Sequence, residues 1–299
     1  LILAARPSMG KTSLALNIAE QIAMGGAAPG ETPPHEPVPV AFFSLEMSRS
    51  SVALRLLSAR SGVNAHELRA GRKPSNAEFK KLVFAQADLE KAPLYIDDTP
   101  ALTVLQLRTR ARRMWQQYGI RCIMIDYLQL LTAPGASRES RQVEVSAISR
   151  GVKALARELN VPVICLSQLN RASEQREGNR PRMSDLRESG SIEQDADVIM
   201  LLHREEYYHI QTPEWAQDPE NADKIGVAEI IIAKQRNGPT GTVKLTWAAD
   251  ITRFKNHDPR HSAPAGYDYV SPSSAAAQFG DPLADPFASP AARGGMGGG

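Results

Sequence analysis

The feature that most constrains this chain is its opening stretch, Leu1-Ile2-Leu3-Ala4-Ala5-Arg6-Pro7-Ser8-Met9-Gly10-Lys11-Thr12-Ser13. An apolar run enters a short turn, reaches Gly-Lys-Thr, and continues into a segment with apolar residues at Leu14, Ala15, Ile18, Ala19 and Ile22. Strand, turn and helix in that order are the layout of a phosphate-binding P-loop. Gly10 lets the backbone come close to phosphate oxygens. Consecutive amides and the helix N-terminus supply fixed positive potential for an anion. Lys11 suits the β and γ phosphates, and the Thr12 hydroxyl suits Mg²⁺. One residue departs from the usual pattern: Ala5 stands where the motif has Gly.

The pattern after this motif keeps alternating. Strands are expected at 1–4, 40–44, 94–96, 122–125, 161–166, 198–202, 227–233 and 242–247. Helices are expected at 11–24, 49–61, 76–90, 104–118 and 143–159, with a Pro/Gly-rich loop at 25–39. Such alternation predicts an α/β fold, a mostly parallel sheet flanked by helices. The last two strands flank Asn237-Gly238-Pro239 and predict a C-terminal β-hairpin. From about Asp258 the composition turns to Pro, Ala, Ser and Gly. The expected division is a folded domain over 1–257 and a disordered tail over 258–299. The chain opens at Leu1, without Met, inside the phosphate-loop strand, so more chain is expected upstream.

Composition narrows the partners. Lys+Arg 35 against Asp+Glu 33 leaves a net charge of +2, so any nucleic-acid surface has to be local. Cys122 and Cys165 sit inside apolar runs and read as core thiols, which points to a reducing, cytoplasmic compartment. No apolar run is long enough for a bilayer span.

A nucleoside triphosphatase also needs an acid near the metal, a group that orients water, and a cation for transition-state charge. In open α/β sheets these lie at the carboxyl ends of strands. Two strands end in acid, Cys122-Ile123-Met124-Ile125-Asp126 and Leu94-Tyr95-Ile96-Asp97-Asp98, and hydrophobic pattern does not choose between them. A strand-end Asp is also an ordinary cap for the next segment. Glu46 follows the strand Phe42-Phe43-Ser44 and can polarise water. It can equally be a helix-start Glu favoured by the dipole. Gln168 closes Leu166-Ser167 with a neutral amide suited to sensing a γ-phosphate. Lys234-Gln235-Arg236 closes an apolar strand, either as a solvated tip or as an arginine finger. The polar loop from Arg171 to Arg187, with Arg176, Arg180 and Arg182, reads as mobile and basic, suited to a nucleic-acid backbone.

Six segments together resemble one family. They are Ala-Arg-Pro-Ser-Met-Gly-Lys-Thr (5–12), Ser-Leu-Glu-Met-Ser (44–48), Ile-Asp-Tyr-Leu-Gln-Leu (125–130), Ser-Gln-Leu-Asn-Arg (167–171), Asp-Leu-Arg-Glu-Ser-Gly-Ser-Ile-Glu-Gln-Asp-Ala-Asp (185–197) and Lys-Gln-Arg-Asn-Gly-Pro (234–239). In this order they resemble the C-terminal, RecA-like motor domain of bacterial replicative DNA helicases of the DnaB type, over about residues 1–254. The resemblance implies a RecA-like P-loop NTPase core that uses ATP and Mg²⁺, and it accommodates Ala5. It implies nucleotide binding by Ser8, Gly10, Lys11, Thr12 and Ser13, and metal binding by Thr12 and Asp126, not Asp97. It implies Glu46 as catalytic glutamate, Gln168 as γ-phosphate reader, and Lys234 and Arg236 reaching a neighbouring subunit's site in a homohexameric ring. Arg187, Glu188 and Gly190 match a loop that faces single-stranded DNA. Primase and a helicase loader are the implied partners, and no membrane is. A recombination-type ATPase and a nucleotide-gated scaffold are the competing readings. The 185–197 and 234–238 segments argue against the first, and the presence of Glu46, Asp126 and Arg236 against the second.

Overall fold

The computed structural model describes residues 1–29, 31–132, 141–186, 190–209 and 212–257. In chain order the elements are β1 (Ile2–Ala5), α1 (Lys11–Ala23), β2 (Val40–Ser44), α2 (Arg49–Ser61), α3 (Ala65–Arg69), α4 (Asn76–Lys91), β3 (Leu94–Asp97), α5 (Val104–Tyr118) and β4 (Cys122–Asp126). There follow α6 (Arg141–Leu159), β5 (Val163–Gln168), α7 (Gly190–Asp195), β6 (Val198–His203), α8 (Glu205–Tyr208), α9 (Pro213–Gln217), β7 (Val227–Gln235), β8 (Gly241–Ala248) and β9 (Arg253–Asn256).

Local chemistry sets the helix ends. Ser48 starts α2 by accepting from the Ser51 amide, and Gly62 stops it in the left-handed region at φ 70°. Capping boxes start α4 (Ser75 with Glu78) and α5 (Thr103 with Gln106).

Among the described residues the nine strands form one sheet in the order β3-β2-β4-β5-β1-β6-β7-β8-β9. The first six strands of that order run parallel, and β7, β8 and β9 are antiparallel to their neighbours. Successive residues alternate between two cores, as the strand period requires. Ile2, Ala4, Ala41, Phe43, Ile123 and Ile125 face one core, against α5 and α6. Leu3, Ala5, Val40, Phe42, Cys122 and Met124 face the other, against α1 and α2. Burial on both faces explains why these strands read as continuous apolar runs. Cys122 and Cys165 are free, buried and on opposite faces of the sheet, and burial pushes both thiols up to about 11. Among the described residues no helix is long and apolar enough to cross a membrane.

One expectation is met and extended, and two need correction. The C-terminal hairpin is present as β7–β8, but β9 extends it into a meander. Arg253-Phe254-Lys255-Asn256 is too short to show a period, and it becomes a strand by pairing with Leu245–Ala248. The strand expected from Val161 starts at Val163. The stretch from Arg171 is folded into short 3₁₀ turns at Arg171–Gln175, Glu177–Asn179 and Met183–Asp185. Two of its arginines are committed internally: Arg176 pairs with the buried Asp185, and Arg180 pairs with Glu229. The expected tail, 258–299, lies outside the described residues.

Candidate functional site

The turn between β1 and α1 lies at the carboxyl edge of the parallel strands and lines a cleft of about 600 Å³. Arg6, Ser8, Gly10, Lys11, Thr12 and Ser13 form one wall. Ser8 and Gly10 both adopt positive φ, 63° and 94°. That conformation bends the chain so that α1 starts with its amides turned to the cleft.

Across the cleft, Thr12 Oγ1 donates to Asp126 Oδ2 at 2.7 Å. Asp126 ends β4 and is fully buried; Tyr127, not Asp126, occupies the N-cap position of the turn that follows. The other Asp126 oxygen, Oδ1, is buried without a hydrogen-bond partner among the described residues. Burial pushes the Asp126 carboxyl up, opposed by Lys11, by the Thr12 hydrogen bond and by Arg55. Burial likewise pushes Lys11 down, opposed by Asp126 and Glu46. Lys11 Nζ sits 4.5 Å from the Tyr127 ring centre, which supports the ammonium from one side. Asp97 is elsewhere. It ends the edge strand β3, where it accepts from Arg110 at 2.8 Å and from the Thr99 amide.

Glu46 lines the same cleft and is exposed. It precedes the α2 cap Ser48 and lies outside the helix's first turn, so dipole preference does not account for it. Gln168, at the end of β5, also borders the cleft. Gln129 braces this strand end through Ser167 Oγ at 2.8 Å.

Lys234 and Arg236 are not in this cleft. Because β7 is antiparallel, its end reaches the opposite edge of the sheet. Lys234 is level with Ile199, which is level with Ile2, about 10 Å below the start of the phosphate turn at Ala5. Lys234 donates to the Glu193 carbonyl at 2.6 Å. Arg236 pairs with Asp197 at 3.2 Å and is half exposed. Arg187 and Glu188 lie outside the described residues. Gly190 is exposed at the start of α7, which is tied to α6 by Ser146–Ser191 and Ser149–Asp195 hydrogen bonds.

Sequence reasoning missed several cleft residues. Arg55 borders the cleft with Nη1 3.5 Å from Ser13 Oγ. Its signal was present: with Val52, Leu56 and Ala59 buried, position 55 falls on the apolar stripe of α2. Trp247 and Thr252 border the cleft from the β8–β9 side. Trp247 packs at a tilt against Phe254 (ring centres 4.5 Å apart), and Arg204 lies over the Trp247 ring at 4.9 Å. Nothing local in the sequence reveals this contact, because it depends on β9 and the strand order.

A parallel sheet, a phosphate turn after β1 and a carboxylate from β4 on the turn's threonine define the class: a RecA-like P-loop domain. The family model for the DnaB-like helicase C terminal domain matches residues 1–256. A replicative DNA helicase DnaB of Geobacillus stearothermophilus is 50% identical over 260 residues, 87% of this chain and 53% of that protein. A replicative DNA helicase DnaC of Bacillus subtilis (strain 168) is 47% identical over the same shares of the two chains. Among solved structures, one described as an ATPase domain is 38% identical with a TM-score of 0.74, covering 86% of this chain and 84% of that one. A DnaB-like replicative helicase, described with its interactions with primase, is 37% identical with a TM-score of 0.74, covering 86% of this chain and 57% of that one. The chain belongs to the DnaB-like helicase C-terminal domain family. It spans about half the length of the curated relatives it matches.

Proposed function

We propose that this chain is the motor domain of an ATP-dependent replicative DNA helicase, a cytoplasmic ring ATPase that moves on single-stranded DNA. The observation that supports the reading is the separation of two sets of residues between two edges of one sheet. Lys11, Thr12, Asp126, Glu46 and Gln168 gather at the carboxyl edge, while Lys234 and Arg236 stand at the amino edge. In this reading one chain offers part of the site, and a second copy supplies Lys234 and Arg236. A homohexamer with ATP between subunits satisfies that requirement.

The residues present fit Mg²⁺. Asp126 Oδ1 is a buried carboxylate oxygen without a partner among the described residues, beside a threonine hydroxyl, and such an atom is costly to leave unpaired. Thr12 and Asp126 would hold the ion, which neutralises phosphate charge when bound. Lys11 and the amides after Gly10 bind the β and γ phosphates. Glu46 orients and deprotonates the attacking water, and Gln168 reports whether the γ-phosphate is there. Arg236 of the next subunit stabilises transition-state charge, an effect of about 10³–10⁵ in rate.

Arg187, Glu188 and Gly190 contact the DNA strand, and primase and a loader act on the full-length protein. The DnaB-like relative described with its interactions with primase supports that partner. The test is steady-state ATP hydrolysis by the full-length protein with and without single-stranded DNA, then unwinding of a forked duplex. Stimulation and strand separation are expected. Hydrolysis without unwinding would favour a recombination-type ATPase.

A further inference from the structure

Asp197 is the last residue before β6, and Arg236 is the first after β7. The two strands are antiparallel with Val198 level with Gln235, so the next pair outward is Asp197 and Arg236. The Arg236 amide donates to the Asp197 carbonyl at 2.9 Å, which closes the ladder. The side chains meet on the same rung: Arg236 Nη1 lies 3.2 Å from Asp197 Oδ1. One residue thus holds both the backbone and the guanidinium of the arginine. Among the described residues no second group pairs with that guanidinium, so Nε and Nη2 stay available.

Asp197 is itself held. Lys153, on α6, brings Nζ to 3.3 Å from the same Oδ1 and also donates to the Asp195 carbonyl. Ser149, about one turn earlier on α6, donates to Asp195 Oδ2 at 2.7 Å. The Lys153 side chain is 20% exposed, whereas those of Asp197 and Arg236 are 56% and 50% exposed. The carboxylate is therefore anchored on its protein side and open on the side of the arginine. Arg236 also borders a cleft of about 750 Å³ together with Arg108, Arg150, Lys153 and Arg157, five cations against two carboxylates. That excess suits a polyphosphate presented from outside the chain.

We infer that Asp197 is a positioning residue for Arg236, holding the guanidinium by one nitrogen and leaving the others to the γ-phosphate in the neighbouring subunit's site. Arginine is long, and fixing its side chain at a reacting group removes much rotamer freedom. The pair with Asp197 removes part of that freedom before nucleotide arrives, so less remains to be lost in the transition state. Lys153 balances the Asp197 charge, so the support does not repel the phosphate that Arg236 meets. The inference rests on the reading of Arg236 as a cation that acts across a subunit interface.

Asp197→Asn removes the charge and keeps the backbone rung. A half-exposed ion pair contributes little to stability, so the fold stands. The experiment compares full-length parent, Asp197→Asn, Asp197→Glu, Arg236→Ala and the Asp197→Asn/Arg236→Ala double variant. It measures steady-state ATP hydrolysis, melting temperature, and affinity for ADP alone and with aluminium fluoride, which mimics the phosphoryl group in transfer. Asp197→Asn is expected to lower kcat and kcat/KM together by about fivefold or more, with KM near parental. The aluminium fluoride complex should weaken by a similar factor, while ADP affinity and melting temperature hold. Asp197→Glu, which keeps the charge, should recover part of both losses. In the double variant the fluoride complex should be no weaker than in Arg236→Ala, because the group that Asp197 positions is gone. Unchanged hydrolysis in Asp197→Asn, a loss that extends to ADP affinity, or a further loss in the double variant overturns the positioning role alone. Parental hydrolysis in Arg236→Ala overturns the reading of Arg236 and the positioning with it.

Discussion

Gly10 meets two demands at once. Its φ of 94° is one that side chains rarely adopt, and an added Cβ would sit 2.9 Å from the Phe254 ring. Gly10→Ala is expected to cost about 1–3 kcal/mol from backbone strain, with the aromatic pair forced to shift. A thermal melt of parent and variant checks it, and an unchanged melting temperature would contradict the close approach. Lys11 carries a different burden. Among the described residues no other lysine borders the cleft, so Lys11→Ala is expected to remove hydrolysis, and near-parental turnover would remove the phosphate-loop assignment. Glu46→Gln is expected to leave ATP binding intact and to abolish turnover, since only water activation changes. These three residues were legible in the sequence because one contiguous motif or strand end holds each. Arg55 was legible in principle, as a cation on an apolar stripe. Trp247 was not, because no local pattern reveals a contact between residues near opposite ends of the folded chain.

At the scale of elements, the two acid-ended strands separate by position alone. β4 is two strands from β1, whereas β3 is the sheet edge. Asp126→Asn is therefore expected to weaken metal-dependent hydrolysis strongly, and Asp97→Asn to leave it near parental; equal damage from both would undo the distinction. Apolar content could not have decided this, since parallel strand order depends on crossovers that leave no periodic trace. Helix ends were more legible than strand order. The capping box of α4 makes a prediction in pH. Backbone and side-chain hydrogen bonds from Ser75 and one from Arg72 lower Glu78 from 4.5 to about 2, so its contribution to stability is full above pH 4.5 and is lost as pH falls toward 2. The parent's urea midpoint should drop across that window, and Glu78→Gln should show a shallower drop. Parallel curves would mean the cap is idle.

For the whole molecule, the decisive property is that Lys234 and Arg236, at the end of β7, and Asp126, at the end of β4, face opposite edges. Mixing full-length chains tests this directly. Arg236→Ala subunits keep an intact phosphate turn, and Lys11→Ala subunits keep an intact Arg236. If Arg236 acts across an interface, mixed rings rebuild some complete sites. ATP hydrolysis should then return well above either variant alone, given about 10³-fold or more from one arginine. No recovery in demonstrably mixed rings would make Arg236 a structural partner of Asp197 and nothing more. Fold class was readable from alternation alone. The separation of Lys234 and Arg236 from the cleft was not, because it follows from the antiparallel sense of β7, which residue types do not encode.

The contact of Trp247 with the phosphate turn has a practical side. The chain has three tryptophans; Trp115 is exposed on α5, Trp215 stacks on His209, and neither borders the cleft. Trp247 alone stands where nucleotide would alter its surroundings, with an arginine on its ring and a phenylalanine at its side. Ultraviolet emission of the unlabelled protein should therefore serve as a built-in optical gauge of site occupancy, and Trp247→Phe should silence it while leaving the other two emitters unchanged.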